Sequence, residues 1–213
     1  MSARPLSAVL LVVCLTYAIV RYVLFKGVPP EHIPLYIANK ASALAGLIVL
    51  GWASLTRDPI RRRSLGHCGW GLVLLHVLAS CAMLTPKYFP DFFVTDGRMT
   101  LLAELSMVCG MAGTVLLARM AFASAAGEIS DKPYRGFGQL VLVLSAVHLI
   151  AMGYRGWLQP ETWPGGLPPM TLLGALSAAG ALALRRWQRV TRPESETSQC
   201  PSHRPRTNSD VAG

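Results

Sequence analysis

Residues 64–86 form a stretch of 23 residues without a formally charged side chain, entered directly after the three arginines Arg61, Arg62 and Arg63. About 20 residues at a rise of ~1.5 Å cross the ~30 Å hydrocarbon layer of a bilayer, so this stretch has the length of a membrane span. Five further apolar runs approach the same length: 5–25, 36–56, 99–118, 136–154 and 167–184. Lipid offers no hydrogen bonds to the backbone, so a spanning segment must satisfy its own N–H and C=O groups, and a helix does so. The expected fold is therefore all-α: an integral membrane bundle of six transmembrane helices over residues 1–189, with short connections that make sequence neighbours antiparallel. The tail, 190–213, is rich in Ser, Thr, Pro and Arg, has almost no apolar content, and reads as disordered.

A net charge of +9 on a chain that is 52% hydrophobic could suggest a nucleic-acid partner. The positions of the charges argue against one, because they sit between apolar runs and not along one face. With the N-terminus in the cytoplasm, 14 of the 20 Lys and Arg residues fall in inner segments and six (Arg21, Lys26, Lys40, Lys87, Arg98 and Arg155) in outer ones. That asymmetry places both termini in the cytoplasm and explains the basic balance through the lipid bilayer. No small-x-small cleavage site precedes Arg21, so the first run is read as a helix and not as a signal peptide. None of the five cysteines (Cys14, Cys68, Cys81, Cys109 and Cys200) forms a CxxC pair, and they read as small packing residues.

Histidines inside spans need a reason, because hydrocarbon leaves their ring nitrogens without partners. His76 lies 13 residues after Arg63, and His148 lies 13 residues after Arg135. Both spans run from inside to outside, so the two imidazoles should sit at nearly equal depth, about 20 Å from the arginines. Level imidazoles on neighbouring helices suit the two axial positions of a heme iron, and the alternative is a pair bonded to other helices without a cofactor. Lys40 and Arg155 lie towards the outer side and read either as partners of the heme propionates or as snorkelling anchors. His67 is nine residues from His76 and so on the opposite face, which makes it an inner-interface residue.

Three other features carry open alternatives. The small residues of the second span, from Ala41 to Gly51, allow close helix approach or leave room for a flat ligand. The outer segment with Tyr88, Phe89, Phe92 and Phe93 is an interfacial aromatic belt or a docking surface for a soluble partner. Glu104 is an acid near the outer interface or a proton relay.

The run Arg62-Arg63-x-Leu65-Gly66 followed by Leu75-His76, together with the lone deep His148, resembles the ferric reductase-like transmembrane domain family. Within it the chain is most similar to the heme-binding membrane subunit of periplasmic methionine sulfoxide reductase systems. Asn39-Lys40 opening the second span, Ala121-Phe122-Ala123-Ser124 closing the fourth and Leu182-Ala183-Leu184-Arg185 closing the sixth support the likeness, which covers residues 5 to about 190. The resemblance implies a six-helix bundle that carries heme b, with His76 and His148 as ligands, in a bacterial-type inner membrane. Electrons would pass from a quinone-pool or flavin donor to a soluble periplasmic redox enzyme. The family commonly has a further histidine early in the fifth span, where this chain reads Tyr134-Arg135-Gly136-Phe137-Gly138-Gln139, so one heme is expected in place of two. No FAD- or NAD(P)H-binding domain is expected after the sixth helix, and the sequence leaves a bound flavin, FMN, open. The rival readings are a heme-free small transporter using His76, His148 and Glu104, and an assembly protein acting through its outer aromatic loop.

Overall fold

In a computed structural model, residues 3–127 and 131–191 are described, with backbone alone for 131–135. Six long helices account for most of them: α1 (Ala3–Ala18, continued by a π-helical turn, Ile19–Phe25), α2 (Ile33–Leu55), α3 (Pro59–Met83), α4 (Leu101–Ala125), α5 (Asp131–Trp157) and α6 (Met170–Val190). All six are long and apolar enough to cross a membrane, as a multi-pass membrane protein requires. The expected tail falls almost wholly outside the described residues, since α6 runs through Val190.

The helix ends differ from the apolar runs in an informative way. α3 begins at Pro59, because Asp58 caps it (Oδ1 accepts from the Ile60 N–H at 3.0 Å) and Pro59 occupies the first turn. Arg61, Arg62 and Arg63 therefore lie on the helix and not in a loop, and the connection from α2 shrinks to residues 56–58. α4 likewise continues past Arg119 to Ala125. α6 starts later than the hydropathy suggests, at Met170, because Pro168 and Pro169 cannot continue a helix backwards with hydrogen-bonded N–H groups. Hydropathy marks where lipid lies, whereas caps and prolines mark where the helix stops.

α2 is the central helix. Over half of its 18-residue apolar stretch, 56%, is buried inside the protein, against 28% at most for the corresponding stretch of any other span. It packs on α1, α3 and α6, and α5 packs on α4 and α6, so α2 to α6 form a ring with α1 outside it and only sparse contact between α3 and α4. The small residues of α2 serve close approach. A Cβ added at Gly46 would come within 3.1–3.3 Å of Val73 and Leu72 of α3, and one at Gly51 within 3.2 Å of Ala181 of α6. Hydroxyls along the spans mostly bond to their own helix, as Ser42 does to the Ala38 carbonyl at 2.7 Å and Ser177 to Leu173 at 2.8 Å.

Asn39 and Ser106 behave differently, reaching across to α3 and α5. Asn39, almost wholly buried, donates from Nδ2 to the His76 carbonyl (3.2 Å) and to Ser80 Oγ (2.6 Å), tying α2 to α3. Replacing it by leucine leaves Ser80 without this donor in a water-poor interior, so Asn39→Leu should cost about 1–3 kcal/mol. A thermal-unfolding midpoint equal to that of the wild type would refute this role.

Candidate functional site

The sparse α3–α4 seam lies beside the two deep histidines, and the structure brings His76 and His148 together. Their ring centres are 6.5 Å apart with planes at 74°. Both side chains are half-buried. They sit about two turns before the C-terminal ends of α3 and α5, at the level of Asn39 and Ser106.

The surroundings of His148 settle its protonation pattern. Its Nδ1 lies 2.7 Å from the Ser106 carbonyl and 2.9 Å from Ser106 Oγ. A carbonyl only accepts, so Nδ1 carries the proton and donates it there. The Ser106 hydroxyl in turn donates to the His148 carbonyl at 3.2 Å. In the neutral ring this leaves the Nε2 lone pair available to a metal, which is the arrangement that orients ligating histidines in general. At His76 the corresponding contact is longer, 3.4 Å from Nδ1 to Ser80 Oγ, and it does not settle the tautomer.

Gly110 completes the pocket around His148. It stands one helical turn below Ser106 on α4, and a Cβ there would lie 2.9 Å from His148 Nδ1 and 3.2 Å from Cε1. No turn or positive φ requires this glycine; the imidazole does. Neither Ser106 nor Gly110 is picked out by the sequence reading, although their i, i+4 spacing and the mid-helix glycine were the available signals.

His76 and His148 would be the side chains to hold a heme iron: their ring centres, 6.5 Å apart, are close enough for both imidazoles to bind one metal at about 2 Å each. Among the described residues no cluster of three or more His, Cys, Asp or Glu side chains is suited to hold a bare metal ion.

The remaining candidates are dispersed. Lys40 is half-buried on α2, its Nζ 5.3 Å from the ring centre of Tyr36 and 5.4 Å from that of Phe89. Arg155 is exposed, and its Nε donates to Tyr154 Oη at 3.3 Å. Glu104 is also exposed, in the first turn of α4 beneath the Thr100 cap, where an acid complements the helix dipole. It lies about 200° round the helix from Ser106 and so faces away from the histidines. In the outer loop Phe92 is buried, and Tyr88 and Phe89 are half-buried, so much of the aromatic surface turns inwards. Phe89 stacks on Phe92 at 5.2 Å and Tyr88 packs against His32 at 4.6 Å. At the loop's tip, the hydrogen bond from Arg98 holds the Asp96 carboxyl below the usual carboxylate range.

Towards the other end of the bundle, between the C-terminal ends of α2, α4 and α6 and the N-terminal ends of α3 and α5, a cavity of about 1390 Å³ opens. Arg57, Arg63, His67 and Arg189 are among its basic lining residues, and Gly136, Gly138 and Gln139 line its α5 side. His67 is exposed and donates from Nδ1 to the Arg63 carbonyl at 2.8 Å. No protein-family model matches the chain, and no curated protein sequence matches it.

Proposed function

We propose that the chain is a single-heme electron-transfer subunit of a bacterial-type inner membrane, with both termini in the cytoplasm, as its resemblance to the ferric reductase-like transmembrane family implies. The observation that carries this reading is the pair of adjacent imidazoles with ring centres 6.5 Å apart, one with its Nδ1 proton committed to a backbone carbonyl. His76 and His148 would hold the iron of heme b, and Ser106 and Gly110 would position the His148 ring. Heme b, when bound, supplies a reversible ferric–ferrous couple. The protein's part is to orient the ligands, to keep the ring nitrogens away from water, and to place the site near the outer face.

The inner cavity is the place we assign to the electron donor, a quinone or a flavin such as FMN. Its volume exceeds the few hundred Å³ a small-molecule site needs, and its basic rim suits an anionic or strongly polarised headgroup. It occupies the part of α5 where the resembled family carries its further histidine, which accords with one heme in this chain. The acceptor would be a soluble periplasmic redox enzyme meeting the outer loops. A transporter would need Glu104 on a path shared with the histidines, and Glu104 faces away from them.

The test is a reduced-minus-oxidised spectrum of detergent-purified protein, with pyridine hemochrome quantification. A b-type signal near one heme per chain is expected. Folded protein made with ample heme supply yet showing no such signal would overturn the electron-transfer reading.

A further inference from the structure

Arg21 reads in the sequence as a flanking charge at the outer end of the first span. Structurally it is inside: it retains 5% of its exposure, and its Nε and Nη1 are buried without a hydrogen-bond partner. It lies on the π-helical turn of α1, where the Lys26 N–H donates to the Arg21 carbonyl at 3.1 Å. π-turns are rare and concentrate at functional sites.

Tyr22 packs against it, and Tyr36, Lys26 and Lys40 gather on the same pair of phenol rings. The guanidinium carbon is 5.5 Å from the centre of the Tyr22 ring, and Tyr22 packs edge-on to Tyr36 at 5.2 Å. Lys26 Nζ lies 5.9 Å from the Tyr22 ring, and Lys40 Nζ lies 5.3 Å from the Tyr36 ring. Among the described residues the acids in ion pairs are Glu31, with His32, and Asp96, with Arg98; none reaches Arg21, Lys26 or Lys40. The Tyr22 hydroxyl lies within hydrogen-bonding reach of the guanidinium and the ring face attracts its charge, but Nε and Nη1 remain without an acceptor. Nε and Nη1 point to different sides of the guanidinium, so each needs its own acceptor oxygen, and the oxygens of a carboxylate or a phosphate supply such acceptors for a buried cation.

We propose that Arg21 anchors an oxyanion-binding site at the outer end of the bundle, with Lys26 and Lys40 flanking it, that takes the carboxylate or phosphate of an amphipathic ligand. Two sources offer that chemistry: a heme propionate, which rests on the function proposed above, and the phosphate of an outer-leaflet phospholipid, which does not. Lys40 is the link in the first case, because its neighbour Asn39 is bonded to the carbonyl of His76.

The experiment compares full-length wild-type protein with Arg21→Met and Arg21→Lys, purified in mild detergent. Heme is quantified as pyridine hemochrome, bound phospholipid by native mass spectrometry, and stability by thermal unfolding. If the oxyanion is a propionate, Arg21→Met lowers heme occupancy several-fold. If it is a lipid phosphate, Arg21→Met loses a tightly held phospholipid several-fold while heme is unchanged. Arg21→Lys keeps the charge without the planar set of donors and retains part of either ligand; should Arg21→Met fail to fold, full retention by Arg21→Lys overturns the site. It is also overturned if Arg21→Met keeps every ligand and melts at a higher temperature, as removal of an unpaired buried charge would cause. Wild-type protein that holds neither heme nor phospholipid sinks it as well, whereas heme-free protein that holds phospholipid through Arg21 refutes only the electron-transfer reading.

Discussion

His76→Ala and His148→Ala should each reduce bound heme from near one per chain to a small residue, while the protein still inserts and still runs as a folded species. The heme loss follows from the proposed ligation: His76 and His148, with ring centres 6.5 Å apart, would hold the iron together, and losing either would leave one such side chain, with no cluster of three or more His, Cys, Asp or Glu among the described residues to replace it. The insertion follows from composition, since replacing an imidazole by a methyl group makes a span more apolar. Pyridine hemochrome assays on purified variants check the first part and carbonate extraction of membranes the second. Full heme retention in both variants would remove the assigned ligands.

Gly110→Val should remove heme with both histidines still present. The first carbon of the new side chain would already lie 2.9 Å from His148 Nδ1, and valine adds two methyl groups beyond it. Either the imidazole turns away from the Ser106 carbonyl, releasing the tautomer that leaves Nε2 free, or α4 and α5 move apart. Overpacking of this kind costs about 1–3 kcal/mol. The thermal midpoint should fall and the heme signal with it, and Gly110→Ala should lie between wild type and valine in both. A valine variant with wild-type heme content and stability would show that the imidazole does not need this space.

Much of the fold was legible in residue order. Spans of about 20 apolar residues must be helices in lipid, so six of them in the sequence imply six helices in the structure. The matched offsets of His76 from Arg63 and of His148 from Arg135 also carry depth, because helical rise is constant. Boundaries were less legible. Arg61 to Arg63 look like loop residues by charge, yet the Asp58 cap and Pro59 start the helix before them.

The supporting residues could not be read in advance. Ser106, Gly110 and Arg21 have ordinary alternatives in the sequence: a hydroxyl bonded to its own helix, a small packing residue, a charge at the end of a span. Which alternative holds depends on the rotation of α4 towards α5 and on the π-turn that carries Arg21. Neither is encoded by hydrophobicity, since lipid and protein interior are equally apolar and favour no particular helix face. By itself, therefore, the sequence determined the number of spans and the shared level of the two histidines. Only the tertiary structure decided which side chains meet there, because between helices in lipid that choice falls to packing and hydrogen bonds.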